Sequence, residues 1–355
     1  MQDLTPQPEK VILVGISLKT DPLHLMHESF DELALLCESA GGLVVGQTFQ
    51  RLERITPATF IGKGKVEEIK KLREETKADI VILDTKLSGI QQRNLQQLLL
   101  CKVFDRHQLI IDIFAQRAQT REGKLQVELA QLKDQLPRLI GEAVAGLSKL
   151  AGGIGTRGPG ETKLEMDRRR VKERIEQVTK ELEAVRKSRA LHSSRRSASR
   201  VSTIALVGYT NSGKSTLLNS LTKSHVLAED KLFATLDPTT RKLFLPSGRQ
   251  AVITDTVGFI NNLPHNLIEA FKATFEEVTL ADLVLHIHDL SHPAEDHHAH
   301  TVTELLTELG VKPQSVLHVY NKTDIVQNSA EDFSKRRMNP FVNVSALTRF
   351  GFDNL

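Results

Sequence analysis

Ile204-Ala-Leu-Val-Gly208-Tyr-Thr-Asn-Ser-Gly213-Lys214-Ser215-Thr-Leu-Leu-Asn-Ser-Leu221 is the stretch that decides how the C-terminal part of this 355-residue chain folds. An apolar, β-prone run, Ile204–Val207, breaks into a glycine-rich loop, and Thr216–Leu221 continues as helix. In that strand–loop–helix context the spacing of Gly208, Gly213, Lys214 and Ser215 reads as a phosphate loop. Gly208 and Gly213 let the backbone of Tyr209, Thr210, Asn211 and Ser212 curl so that successive N–H groups face an anion at a helix N-terminus. Lys214 is then placed for β- and γ-phosphate oxygens, and the Ser215 hydroxyl for Mg²⁺.

Three more segments follow in one order and at domain-sized spacing. Asp255-Thr256-Val257-Gly258 follows the strand Gln250–Thr254. Asp255 is expected to hold Mg²⁺ through water, and Gly258 to offer its backbone N–H to the γ-phosphate. Asn321-Lys322-Thr323-Asp324 follows the strand Leu317–Tyr320, at the edge where open α/β sheets bind ligands. A carboxylate at Asp324 accepts from guanine N1–H and from its exocyclic amine, a donor pair that adenine lacks. Ser345-Ala346-Leu347 is expected to add a backbone N–H to guanine O6. Between the first two motifs lies Phe233-Ala234-Thr235-Leu236-Asp237-Pro-Thr239-Thr240-Arg241, read as the first switch segment. Thr235 is the choice for the second hydroxyl on Mg²⁺, with Thr239 and Thr240 as competitors that spacing alone does not eliminate. The order of motifs predicts GTP binding and hydrolysis, with Lys214, Thr235 and Gly258 as the catalytic groups.

One position departs from the Ras-like pattern. Phe259 stands where such enzymes carry the glutamine that orients the attacking water, and an aromatic ring cannot do that job. Asn211 occupies a phosphate-loop position at which several glutamine-less GTPases use asparagine to help hold K⁺. K⁺ is therefore a candidate second cation, the competing role for Asn211 being a cap on local backbone.

Length is sufficient for two or three domains with ample core. Cys37 and Cys101 show no metal-ligand spacing, which fits a reducing compartment. No apolar run approaches the ~20 residues that span a bilayer, and the N-terminus has no signal-peptide pattern. The expectation is a cytoplasmic monomer. The net charge of +3 conceals an uneven distribution. Residues 117–200 carry 20 Lys/Arg against 11 Asp/Glu, whereas residues 201–355 carry 13 against 17. The basic middle is where an anionic partner such as nucleic acid would bind.

That middle also has a heptad pattern. Leu125, Leu129, Leu132, Leu136 and Leu139 recur at steps of four and three, and so do Val171, Ile175, Val178, Leu182 and Val185. The two stripes predict an antiparallel helical hairpin, with Pro137 kinking the first helix. The connecting loop at 152–160 contains Gly155, Arg157, Gly158 and Gly160 and is nearly bare of side chains. Such a loop suits a narrow, anionic place, with Arg157 as its charge. The domain reading is an N-terminal α/β domain at 1–116, the basic hairpin at 117–190, a linker at 191–200 and a GTPase domain with a mostly parallel sheet at 201–355.

Residues 11–114 read as strands Val11–Leu18, Leu43–Thr48, Ile80–Asp84 and Leu109–Phe114, with helices near 29–40, 65–77 and 90–100. Gly62-Lys-Gly-Lys65 lacks the phosphate-loop spacing and reads as a helix-opening turn. His286, His288, His292, His297, His298 and His300 cluster in sequence, but no cysteine or tight carboxylate set accompanies them, and no metal site is expected there.

The strings at 62–69, 104–118, 152–165 and 233–241 together resemble the HflX family of translational GTPases, over nearly the whole chain. The resemblance implies a ribosome-associated enzyme that binds the large ribosomal subunit. Its hairpin loop would reach rRNA near the peptidyl-transferase centre, with Gly155, Arg157, Gly158 and Gly160 in contact. It also implies separation or rescue of stalled ribosomes under stress. The chain departs from the family in ending at Leu355, ten residues after Ser345, where a closing helix is expected to continue. A reading from another class is an RNA-binding assembly or modification partner that uses GTP only as a switch.

Overall fold

The computed structural model describes residues 8–149, 159–198, 201–222, 232–261, 263–326, 338 and 340–355. The chain divides into two compact units, one of residues up to Gln116 with Leu125–Glu181, the other of Arg117–Lys124 with Leu182–Leu355.

In the first unit four strands form a parallel sheet. They are β1 (Lys10–Leu18), β2 (Leu43–Leu52), β3 (Ile80–Leu83) and β4 (Lys102–Asp105), in the order β2-β1-β3-β4. Parallel neighbours need crossover helices, and α1 (Leu23–Ser39), α2 (Lys63–Thr76) and α3 (Gly89–Leu99) supply them. The apolar runs of β1 and β3 are buried on both faces, Ile12, Leu13, Val81 and Leu83 being fully inaccessible, as a covered parallel sheet requires. Gly62 is the N-cap of α2, so Gly62–Lys65 opens a helix.

The expected strand Leu109–Phe114 is instead the body of α4 (Arg106–Arg117), and the fourth strand lies earlier, at Lys102–Asp105. A short apolar run has no periodicity that separates a buried strand from a buried helix. What decides it is Asp105. Its carboxylate accepts the Gln108 N–H at 2.8 Å, and the Gln108 side chain accepts the Asp105 N–H at 3.4 Å. This reciprocal pair is a capping box that starts a helix. Asp105 is fully buried and also accepts from the Leu87 N–H at 3.1 Å and from Arg138 at 2.9 Å.

The basic middle forms two long helices, α5 (Arg121–Lys149), with Pro137 inside it, and α6 (Pro159–Ala198). Leu125, Leu129, Val178 and Leu182 of the two heptad stripes are buried. Arg174 of α6 grips Glu128 of α5 through two hydrogen bonds of 2.6 and 2.9 Å. Of the expected hairpin loop, Gly155, Arg157 and Gly158 lie outside the described residues. Gly160 falls in the first turn of α6 rather than in the loop, because Pro159 takes the first helical position, where its missing N–H costs nothing.

The second unit carries a six-stranded sheet in the order β10-β9-β8-β5-β7-β6. Its strands are β5 (Ser202–Gly208), β6 (Thr239–Phe244), β7 (Gln250–Asp255), β8 (Leu283–Asp289), β9 (Val316–Asn321) and β10 (Phe341–Asn343). Only β6 runs antiparallel to its neighbour. The C-terminal ends of β5, β7 and β9 carry the three motifs at one edge of the sheet. Helices α7 (Lys214–Thr222), α8 (His265–Ala270), α9 (Lys272–Thr279) and α10 (Glu295–Glu308) complete the unit. Among the described residues no helix is long and apolar enough to cross a membrane.

The Asp105 node yields a stability prediction. Asp105→Ala breaks the buried pair with Arg138, which keeps Asp134, and leaves the Leu87 and Gln108 N–H groups without their acceptor. Breaking such a buried pair costs about 3 kcal/mol, to be read as a lower midpoint in thermal denaturation of the full chain. Lys19→Ala, which removes only an exposed pair with Glu53, leaves that midpoint unchanged.

Candidate functional site

The backbone of the phosphate loop is set by two glycines. Gly213 has φ of +93°, and a Cβ there would lie 2.2 Å from Asn321 Nδ2. At Gly208 a Cβ would lie 2.4 Å from the Ile287 carbonyl oxygen. No other residue type fits either place. The loop is stitched to the segment after β7, where Thr210 N donates to Phe259 O at 2.7 Å and Phe259 N to Gly208 O at 3.1 Å.

A pocket opens above this loop. Thr210, Asn211, Gly213, Lys214, Ser215 and Thr216 line it from the loop, and Phe233, Ala234, Thr235, Thr256 and Gly258 from the facing segments. At its floor Lys214 is buried, and its ammonium donates to the carbonyls of Gly208 at 3.1 Å and Tyr209 at 2.7 Å. Burial lowers its pKa to about 8, although Asp255 pulls the other way. Asp255 is fully inaccessible, and burial raises its pKa against the opposing pull of Lys214. The hydroxyls of Thr210 and Ser212 are buried without a hydrogen-bond partner. A floor with an under-neutralised cation and unpaired donors suits a polyanion.

Beside Lys214, three oxygen groups converge. Ser215 Oγ donates to Asp255 Oδ2 at 2.5 Å and sits 2.9 Å from Thr235 Oγ1, which is 3.0 Å from the same carboxylate oxygen. Asp255 Oδ1 is buried and has no partner. Two hydroxyls, one carboxylate and an unsatisfied carboxylate oxygen are the hard oxygen set that Mg²⁺ takes beside phosphates, so the residues present fit that ion. Of the three candidate threonines only Thr235 reaches this cluster. Thr239 and Thr240 are strand residues of β6, and the Thr240 hydroxyl pairs with Thr254 at 3.0 Å. A Cβ on Gly258 would lie 3.0 Å from Thr210 Cα and 3.1 Å from Lys214 Nζ, so a side chain there would press on the phosphate loop. Phe259 is buried against Phe275, with ring centroids 5.4 Å apart. Its ring belongs to the core, so the residue after Gly258 places nothing beside the phosphates. Asn211 is exposed with φ of +60°.

At the base end Asn321 is buried and faces inward. Its Nδ2 donates to Ser212 O at 3.0 Å, and its Oδ1 accepts the Ala346 N–H at 2.9 Å. The N–H of Ala346 is therefore committed to Asn321 in this structure. Ser345 is buried, with Oγ accepting the Thr348 N–H at 3.0 Å. Lys322 Nζ pairs with Asp289 at 2.6 Å, and the Thr323 hydroxyl donates to Val344 O at 3.0 Å. Asp324 and Leu347 are exposed at the same edge.

Tyr209, Leu236, Asp237 and Val257 stand apart from the pocket lining. Tyr209 stacks on His298 at 3.6 Å and accepts the Asn261 N–H at 2.8 Å, while Leu236 and Val257 are buried. Asp237 turns to the start of α5. Its carboxylate accepts the N–H groups of Gln119 and Thr120, each at 2.9 Å, and the Thr120 hydroxyl. Thr120 caps α5 through the Gly123 N–H at 3.0 Å, and a Cβ on Gly123 would lie 2.4 Å from Asp237 Oδ1. Sequence reasoning gave no sign of this contact or of the Asn321 bridge, because they join residues 25 to 118 positions apart.

A phosphate loop on β5, an oxygen cluster for Mg²⁺ at the end of β7, and an Asn-Lys-Thr-Asp segment after β9 together define a P-loop GTPase. Comparison with known proteins adds the family. Residues 27–115 match the family described as GTP-binding GTPase N-terminal, residues 117–196 the GTP-binding GTPase Middle Region, and residues 203–322 the 50S ribosome-binding GTPase. The GTPase HflX of Caldanaerobacter subterraneus subsp. tengcongensis is 48% identical over 355 residues, covering 100% of this chain and 81% of that protein. The GTPase HflX of Escherichia coli K12 is 43% identical over 328 residues, covering 92% and 75%. The chain belongs to the HflX family of GTPases. A GTP-binding protein from Sulfolobus solfataricus, solved with GDP, shares the fold at 24% identity and a TM-score of 0.50, covering 98% of this chain and 96% of that one.

Lys214 makes nucleotide binding a proton-linked event. With an ammonium pKa of about 8 before binding, Lys214 is charged at pH 7 and largely neutral at pH 9. A bound triphosphate favours the charged form and raises that pKa. GTP binding at pH 9 therefore takes up close to one proton, whereas at pH 7 Lys214 contributes none, and affinity falls as pH rises above 8. Isothermal titration calorimetry in buffers of different ionisation enthalpy reads the uptake directly. Equal proton uptake at both pH values would refute the linkage.

Proposed function

We propose that this chain couples GTP binding and hydrolysis to association with the large ribosomal subunit, and that the coupled action is to separate or rescue stalled ribosomes. What carries the reading is the Asp237 contact. Thr235 sits at the oxygen cluster beside Lys214, and two residues later Asp237 holds the first turn of α5. A segment that rearranges with the γ-phosphate is thus bonded to the helix that leads into the basic residues of 117–200. The match of residues 203–322 to a 50S ribosome-binding family and the charge of that middle stretch support a ribosomal partner.

In the hydrolysis itself, the loop N–H groups and Lys214 hold the β- and γ-phosphates, and Gly258 offers its N–H to the γ-phosphate. Ser215 and Thr235 would hold Mg²⁺ directly and Asp255 through water, and the ion would supply neutralisation of the charge that develops on the phosphates. Asn321 and Asp324 hold the base. With the Phe259 ring in the core, no side chain at that position orients the attacking water, so intrinsic hydrolysis is slow. Partner-supplied geometry elsewhere is worth roughly 10³–10⁵ in rate. We assign Asn211, at the pocket rim, to K⁺, and Arg157 with Gly155, Gly158 and Gly160 to rRNA.

Single-turnover hydrolysis with and without purified large subunits tests this, together with co-sedimentation in GDP, GTP and a non-hydrolysable analogue. The expected result is a rate at least a hundredfold higher with subunits, larger in KCl than in NaCl. Replacing 152–160 by a short Gly-Ser turn should leave GTP binding intact, weaken subunit binding and abolish splitting of 70S ribosomes. Fast hydrolysis indifferent to ribosomes, or stimulation by a small RNA alone, would replace the proposal with a simple RNA-binding switch.

A further inference from the structure

Three histidines that the nucleotide site does not use meet on one face of the central sheet. His286 and His288 are two residues apart on β8, and His318 on β9 is in register with His286. All three are buried, at 1%, 3% and 9% exposure. One imidazole nitrogen of each lies within 4.8 Å of the other two. No alignment of periodicities within β8 points to His318, because it comes from a strand thirty residues further on. For that reason the sequence contained no visible ligand set.

Hydrogen-bond accounting shows what the cluster lacks. His288 Nδ1 is 2.7 Å from Glu295 Oε1, and His288 Nε2 is 3.0 Å from His318 Nδ1. An ionised carboxylate only accepts, so Nδ1 of His288 carries the hydrogen. In that tautomer Nε2 presents a lone pair, filled here by the Nδ1–H of His318. His286 Nδ1 is buried with no partner at all. In its neutral form each imidazole keeps one lone pair. A packed histidine cluster with no other purpose would not be expected to leave a ring nitrogen orphaned in the core of the domain.

We propose that His286, His288 and His318 form a binding site for a late first-row transition ion, with Zn²⁺ as the ion that fits best. Neutral imidazoles suit Zn²⁺, Cu and Ni, whereas Mg²⁺ selects oxygen, so the site is chemically distinct from the Ser215–Thr235–Asp255 cluster. Binding requires His318 to carry its one hydrogen on Nε2 instead of Nδ1, with no net loss of a proton, which leaves two lone pairs facing one ion. Zn–N bonds of about 2.0–2.1 Å in tetrahedral geometry set ligand nitrogens about 3.4 Å apart. The observed 3.0 Å pair therefore needs only a small opening. Glu295 becomes the outer carboxylate that fixes the His288 tautomer, an arrangement that accompanies most ligating histidines. Tyr320 stacks on the His288 ring at 4.4 Å and restricts its rotation. Three nitrogen ligands leave a fourth position for water. The site lies on the two strands that end in Asp289 and Asn321, both part of the base-end hydrogen bonds.

The test uses the full chain, stripped of metal and held free of nucleotide and Mg²⁺. Zn²⁺ is titrated against a chromophoric chelator and the bound metal is counted by elemental analysis. One ion per chain is expected. His318→Gln should weaken binding at least a hundredfold, and Glu295→Gln roughly 10–100-fold. His297→Gln with His300→Gln, on the accessible side of α10, should change nothing. Retained affinity in His318→Gln, or its loss in the α10 variant, overturns the proposal. Should His318→Gln fail to fold, X-ray absorption of the unmodified Zn²⁺-loaded chain decides instead. Three imidazole nitrogens at about 2.0 Å support the site, and an oxygen-dominated shell, or no stoichiometric zinc, refutes it.

Discussion

A single buried carboxamide holds the two ends of this nucleotide site in register. Asn321 donates to the carbonyl of Ser212 in the phosphate loop and accepts the N–H of Ala346 in the segment after β10. Neither end could shift without leaving a buried polar group unpaired, which is expensive away from water. The glycine at 213 follows from the same contact, since any side chain there would occupy the place of the Asn321 amide. The segment after β9 thus clamps the phosphate loop, and in our reading it also faces the base.

Charge inside the pocket is arranged for a ligand rather than for the resting protein. Lys214 is desolvated with Asp255 as its nearby opposing charge, and burial depresses the first group's pKa while raising the second's. Burial penalises the charged form of each, and a triphosphate with a divalent cation relieves both. The cost is carried by the surrounding fold, in which β5 and β7 are paired in the sheet and buried toward their C-terminal ends. The same economy explains Phe259. Its ring stabilises the core beside Phe275, and in our reading hydrolysis depends on geometry brought from outside, with Asp237 linking the first switch segment to α5.

Much of the GTPase domain was legible in the sequence, because its motifs are short, local and bound to strand ends. Ile204–Val207, Gln250–Thr254 and Leu317–Tyr320 all lie within observed strands. The sequence favoured Thr235 without eliminating Thr239 and Thr240; in the structure the Thr235 hydroxyl is the one within hydrogen-bond distance of Ser215 and Asp255. The N-terminal sheet was legible except at its fourth strand, where Leu109–Phe114 has the composition of either element and only the Asp105–Gln108 cap decides. The Asn321 bridge, the Asp237 contact and the meeting of His318 with His286 and His288 were not legible. Each depends on sheet register or loop path, and nothing local in sequence encodes those.

The central claim is that this site reads guanine through Asp324 at one end while Lys214 holds phosphate at the other. Competition binding of GTP, ATP and XTP to the full chain and to Asp324→Asn tests it most directly. The account predicts that the unmodified chain prefers GTP over ATP by about 10⁴, the scale of discrimination when buried hydrogen-bonding partners are mismatched. The variant should lose GTP and gain XTP, whose carbonyl accepts from the new amide. Comparable affinity of the unmodified chain for ATP, or an Asp324→Asn variant with unchanged preference, would contradict it.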